Sequence, residues 1–177
     1  GTVTVKAKPE KQIKQVEKIL AKIGELTDGP VRYVVNTHWH GDHAGGNENM
    51  AAAGAAIAAH DAVRERMSTE QVMAAFGRTV PPSPETALPV ITFNESVTLH
   101  QSGEEIGVVH VAAAHTDGDA IITFKNANVI HMGDCFFSGM YPFIDAGSGG
   151  SIHGVIAAAE QVLAQVDDDT RIIPGHG

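Results

Sequence analysis

The segment Thr37-His38-Trp39-His40-Gly41-Asp42-His43 packs three imidazoles and a carboxylate into a few consecutive residues. Both groups bind divalent cations, and histidine is the commonest metal ligand of all. In an extended segment residues two apart point the same way, so His38 and His40 can grip one ion together. Gly41 permits a tight turn after them, and Asp42 and His43 can then face a second point in space. One short loop therefore offers ligands to two cations. A zinc site with an open position takes three protein ligands, so two such sites need donors from elsewhere. Three later segments offer them: Ala114-His115-Thr116-Asp117, Gly133-Asp134-Cys135 and Pro174-Gly175-His176. Each falls at a predicted strand end or beside a turn, where a rigid sheet presents functional groups. A closed structural zinc site takes four ligands, and the candidates here exceed that need.

This pattern resembles the metallo-β-lactamase superfamily. Its signature is a strand followed by His-x-His-x-Asp-His, here His38, His40, Asp42 and His43. A lone histidine follows, then an Asp in a Gly-Asp pair after a hydrophobic strand, then a histidine in a Pro-Gly-His context; His115, Asp134 and His176 match in order. The resemblance runs from about Val31 to His176 and implies an α/β fold, a four-layer αββα sandwich. It implies a first metal on His38, His40 and His115, a second on Asp42, His43 and His176, and Asp134 bridging them. The activity implied is that of a dinuclear zinc hydrolase whose metal-bridging hydroxide attacks a β-lactam, thioester or lactone carbonyl, or a phosphoester. Asp42 is the expected catalytic residue, orienting the nucleophile and shuttling its proton. Iron or manganese suits the same donors. A di-iron redox member, reducing oxygen or nitric oxide or oxidising persulfides, and a truncated remnant without activity stand as alternatives.

Cys135 competes with Asp134, because in the lactamase branch a cysteine ligates the second metal. Neighbours on a strand face opposite ways, so only one of the two reaches the metals, and the Gly-Asp context favours Asp134. Cys135 is then a small buried hydrophobe. No lysine between Cys135 and His153 could anchor a substrate carboxylate, which weighs against a lactamase. Ser138 to Asp145 follows the bridging residue and is expected to line the substrate pocket, and Trp39, between two ligands, reads as a packing residue or pocket wall. His60, His100, His110, His131 and His153 are read as structural. The run Gly147-Ser148-Gly149-Gly150 reads as a turn before a Ser151-capped helix rather than an anion cradle, since it lacks a phosphate loop's lysine.

The elements that must position these residues follow from periodicity. Val3 and Val5 alternate with polar residues as a short strand. Pro9 opens a helix to about Leu26, with Ile13, Val16, Leu20 and Ile23 on one face. Val31 to Asn36 is a strand leading into His38. Met50 to Ala59 reads as helix then strand without a decisive period. Asp61 to about Gly77 reads as one or two helices, with Asp61 and Ser68 as N-caps. Thr79 to Pro89 holds four of the eight prolines and reads as a surface loop. Short apolar runs from Val90 to Ile130 read as an antiparallel meander. A helix after Ser151 carries an apolar stripe of Ile152, Val155, Ile156, Ala159, Leu163 and Val166, and Arg171 to Ile173 is a last strand.

The 177 residues, 43% hydrophobic and 19% charged, suit one folded domain spanning 1–177 and exclude disorder as the main state. A net charge of -9 without a basic cluster argues against nucleic acid or an anionic membrane as partner, leaving a small-molecule substrate. One cysteine excludes an intrachain disulfide. No signal peptide or membrane span is evident, so the chain reads as soluble, in the cytoplasm or in the periplasm after loss of a leader. Relatives place several strands before the first helix, and this chain has one; it reads as a trimmed or reduced version whose open sheet edge a homodimer would cover.

Overall fold

A computed structural model describes residues 10–177; the strand expected around Val3 and Val5, and Pro9, lie outside the described residues. Helix α1 (Glu10–Leu26) buries Val16 and half-buries Leu20 and Ile23, three residues of the face that periodicity assigned, the side chain of Ile13 lying outside the described residues, and ends before the Asp28-Gly29-Pro30 turn. Strand β1 (Tyr33–Val35) leads to the short helices α2 (Gly41–Ala44) and α3 (Asn47–Ala52). The alanine-rich run then resolves into β2 (Ala56–His60), although alanine favours helix. Gly54, at φ +96, breaks α3, and Ala58 and Ala59 are wholly buried between neighbouring strands and a helix where only small side chains fit.

Helix α4 (Asp61–Ser68) stops well short of Gly77. Its N-cap is His60, whose Nδ1 accepts from the Ala62 amide at 3.2 Å, so Asp61 sits inside the first turn instead. Ser68 ends this helix rather than starting another. Residues 71–80 form a hairpin, β3 (Gln71–Met73) and β4 (Arg78–Val80), with Gly77 in the left-handed region at φ +58. Met73 is buried against Trp39, and that anchor outweighs the local helical tendency. The proline loop that follows is not all surface, since Ala87, Leu88 and Pro89 are buried.

Strand β5 (Ile91–Phe93) pairs parallel with β2 and does not begin the meander, giving a parallel sheet in the order β1-β2-β5. The meander is β6 (Ser96–Gln101), β7 (Glu104–His110), β8 (Ala120–Phe124) and β9 (Val129–His131), joined by a parallel edge strand, β10 (Arg171–Ile173). Val35 and Phe93 from the first sheet meet Val108, Ala120 and Ile122 from the second. A second core lies between the first sheet and α2 and α4, around Trp39, Ala59, Val63 and Met67. Helix α5 (Ile152–Leu163), capped by Ser151 Oγ accepting from the Gly154 amide at 3.1 Å, covers the other face of the second sheet. The layers are therefore helix, sheet, sheet, helix. Each fully buried side chain such as Val63 or Val108 contributes about 1.5–3 kcal/mol by leaving water.

The apolar stripe of α5 is wider than the face it buries. Val155, Ala158 and Val162 turn inward, while Ile152, Ile156 and Leu163 are exposed. Gly154 fixes that rotation: a Cβ there would overlap Ala113 O, so the helix can approach the loop carrying His115 only through glycine. None of the described helices is long and apolar enough to cross a membrane.

Candidate metal centre

Loops at one end of the two sheets converge. After β1 the chain bends through Thr37, His38 and Trp39 before α2 begins, and the Thr37 carbonyl accepts from the Ala120 amide of β8 at 2.8 Å. A buried reciprocal amide pair, Asn36 with Asn47 at 3.0 and 2.7 Å, clamps the strand end to α3. His38 and His40 thus face one point, and Asp42 and His43, on the first turn of α2, face another.

His38, His40, His115 and Asp134 are all buried, and their donor atoms lie within 4.8 Å of one another. His40 Nδ1 is 2.9 Å from His115 Nε2, and the Asp134 carboxylate stands 3.7 Å from His38 and 3.5 Å from His115. Asp42, His43 and His176 form the second, more open group. His43 Nε2 is 3.3 Å from His176 Nε2, and Asp42 Oδ2 lies 3.4 and 3.2 Å from them. Asp134 reaches this group too, at 3.0 Å from His43 and 3.4 Å from His176.

The outer nitrogens of the three buried histidines are held from behind. His38 Nδ1 meets Thr37 Oγ1 at 3.1 Å, His40 Nε2 meets Asp145 Oδ2 at 3.0 Å, and His115 Nδ1 meets the Phe143 carbonyl at 2.6 Å. A proton directed outward leaves the inner nitrogen as a lone pair aimed into the cluster. Among the described residues His38 Nε2 is buried without any hydrogen-bond partner, and the buried Asp134 Oδ1 meets only the His43 imidazole. An orphaned acceptor in the interior is costly unless a cation satisfies it, and with two donor groups side by side the residues fit bound cations.

Electrostatics agree. Burial, reinforced by the neighbouring imidazoles, holds His38 well below its ordinary value and keeps it neutral. Burial likewise lowers His115. In His43 burial opposes protonation, but Asp134 and Asp42 outweigh it and raise the imidazole to about 9. Asp42 is held well below the carboxylate range by its hydrogen bond from His43. A cation entering the second group must therefore displace a proton from His43.

All seven residues singled out by their spacing meet here. Cys135 does not join them. It lies on a 3-10 turn, Gly133–Cys135, rather than a strand, and its thiol packs among Val111, Ala114 and Val155, where burial pushes its pKa up. Gly175 shows why the last motif needs glycine: a Cβ there would overlap Asp134 Oδ1. Of the loop after Asp134, Phe137, Met140 and Phe143 line a cavity of about 1060 Å³ over the cluster, whereas Tyr141 is 96% exposed and is not part of it.

Residues that motif spacing did not mark complete the support. Asp145 accepts from His40, from Ser148 Oγ at 2.6 Å and from the Ser148 amide, and Ser148 Oγ in turn accepts from Trp39 Nε1 at 3.2 Å. The glycine-rich run is thus a tight turn that places Asp145 behind His40, its amides already bonded internally. An Asp three residues before Ser is a local turn signal visible in the sequence. Asp119 is buried and accepts from both the amide and the hydroxyl of Thr116 at 2.7 Å, fixing the turn after His115. Burial raises it to about 7.

The sequence profile of the Metallo-beta-lactamase superfamily matches residues 9–176, and the chain belongs to that superfamily. No curated protein sequence matches it. Among solved structures it is similar to a metallo-beta-lactamase from Pontibacter korlensis, at a TM-score of 0.69 and 19% identity over 91% of this chain and 68% of that one. It is similar to TTHA1623 in a di-iron-bound form, at 0.69 and 24% over 92% and 77% of the two chains. The BLEG-1 B3 metallo-beta-lactamase superposes at 0.73 with 17% identity over 93% and 77%. These likenesses establish the shared fold.

Proposed function

We propose that the protein is a dinuclear zinc-dependent hydrolase acting on a β-lactam, thioester, lactone or phosphoester, with residues 1–177 working as one domain. In this reading His38, His40 and His115 hold one ion, Asp42, His43 and His176 hold the other, and Asp134 bridges them. The observation that carries it is the Asp134 carboxylate, buried between the two donor groups and within 3.7 Å of histidines in both. Two bound cations would supply hydroxide at neutral pH and positive charge for the developing oxyanion.

The chain's own residues do the rest. Asp42 is the exposed carboxylate of the cluster and faces the cavity, so its Oδ2 can take the proton of the attacking water and return it to the leaving group. Asp145, the Phe143 carbonyl and Thr37 hold three imidazoles in the required tautomer. The cavity walls of Val16, Ile19, Met50 and Phe137 exclude water from the substrate body.

Elemental analysis of protein purified without chelator or metal-affinity resin tests this reading: two zinc ions per chain are expected, with hydrolysis of at least one substrate class. His115→Ala and Asp42→Ala should abolish that hydrolysis while preserving the circular dichroism spectrum. Full activity in both variants would overturn the assignment. A second reading, a di-iron redox protein, is favoured by a donor set made only of imidazole and carboxylate and by the di-iron-bound neighbour of the same fold. Iron with visible absorbance in place of zinc would put it first.

A further inference from the structure

The cavity over the metal cluster has largely apolar walls away from the imidazoles. Among the described residues lining it, Arg78 is the sole lysine or arginine. It stands on β4 directly opposite Met73 in the hairpin register, and its side chain folds back across the pair. Nε and Nη2 lie 3.4 and 3.2 Å from Met73 Sδ, and the guanidinium carbon is 5.6 Å from the Phe76 ring centroid. Met73 is itself buried beside Trp39, next to His40, so the sulfur holding Arg78 is fixed to the floor of the site. Phe76 touches Phe143, ring centroids 5.3 Å apart, and so docks the hairpin onto the loop that carries the His115 acceptor.

These contacts position the guanidinium without neutralising it. A thioether is a weak acceptor and a ring face carries no charge. Among the described residues Arg78 forms no ion pair with a carboxylate, unlike Arg64 with Glu85 and Arg66 with Asp117. In a chain with 21 acidic residues and 12 basic ones, an arginine that lines a cavity and pairs with no described carboxylate retains charge and donors for a ligand. A guanidinium fork matches a planar carboxylate with two parallel hydrogen bonds. One such fork matches one carboxylate.

We propose that Arg78 is a specificity residue, binding a carboxylate on the substrate at a point remote from the scissile bond. The substrate class is then an acyl compound with an apolar body and one terminal carboxylate. The inference deepens the hydrolase reading and rests on it for activity, but ligand binding tests it separately.

Two esters sharing one leaving group, 4-nitrophenyl hydrogen adipate and its methyl ester, differ only in the remote charge. Wild-type protein should favour the hydrogen adipate, and in Arg78→Ala the ratio of kcat/KM between the two should fall by roughly 10- to 100-fold, the worth of a charge-assisted hydrogen bond. The loss should fall mainly on KM, and Arg78→Lys should restore part of it. Lys125→Ala, removing a surface cation outside the cavity, should leave the ratio unchanged. In the second arm, calorimetry measures binding of hexanoylglycine against hexanoylglycinamide, neither of which need react. A carboxylate preference in wild type that Arg78→Ala removes supports the proposal even if no ester is hydrolysed, in which case only the hydrolase reading falls. An unchanged preference in Arg78→Ala in both arms, with the carboxylate held by the metals alone, would overturn it.

Discussion

Replacing Asp145 by asparagine keeps the shape of the side chain and removes its charge. In the native protein the carboxylate accepts from Ser148 Oγ at 2.6 Å, from His40 Nε2 at 3.0 Å and from the Ser148 amide at 3.3 Å. Burial opposes ionisation, but the bonds from Ser148 and His40 overcome it and hold Asp145 below the ordinary carboxylate value. A hydrogen bond to a charged group contributes about 1.5–3 kcal/mol and a neutral one about 0.5–1.5. Across the two short bonds the substitution should therefore cost about 2 kcal/mol. At roughly 2–4 °C per kcal/mol for a chain of this size, Tm should fall by about 4–8 °C. The native contribution is present above about pH 4 and disappears as pH falls through the folded value, so the wild-type and variant stability curves should converge in acid. His40 would also lose the partner that fixes its tautomer, and weakening such support typically lowers metal affinity about 10- to 100-fold. Competition against a chromophoric chelator measures that loss, and calorimetry the shift in Tm. Native metal affinity in Asp145→Asn would refute the argument that Asp145 orients His40.

Three further outcomes are expected. Arg66 makes a two-pronged pair with Asp117, at 2.7 and 2.6 Å, that ties α4 to the loop after His115; because Asp117 is partly exposed, Arg66→Ala should cost only about 1 kcal/mol, and the difference should shrink in 1 M salt. An unchanged urea midpoint at low salt would show the pair to be idle. Burial, with help from the stacked His110 ring, lowers the pKa of His60, which caps α4 through an unprotonated Nδ1. Its contribution is present above about pH 6.5 and is lost as pH falls toward the depressed folded value, so His60→Asn, a cap that does not titrate, should lose less stability than wild type between pH 7 and 5. Equal losses in urea melts at the two pH values would count against this. Gly175→Ala would drive a Cβ into Asp134 Oδ1 and to 2.7 Å from the Gly133 carbonyl carbon, so metal content should drop well below that of wild type; a variant with full metal content would sink that reading of the Pro-Gly-His motif.

Much of this protein is legible in one dimension because its donors are local. His38, His40, Asp42 and His43 lie within six consecutive residues, and the start of α2 at Gly41 separates them into two groups. The apolar face of α1, the Ser151 cap and the four strands of the meander are likewise set by patterns a few residues long. Other features depend on partners distant in the chain. Ala56 to His60 is a strand because β1 and β5 flank it, and residues 71–80 form a hairpin because Met73 finds Trp39. Val90 to Phe93 joins the first sheet because a parallel partner awaits it, against the meander pattern it continues in sequence. Residue types and spacing singled out the seven side chains that gather here in two groups. Tertiary structure alone decided that Asp134 lies against both groups at once, that Asp145 stands behind His40 across 105 residues, and that Arg78 lines the cavity. The physical reason is that a side chain's identity fixes what it can bond, whereas burial and long-range packing fix which partners come within reach.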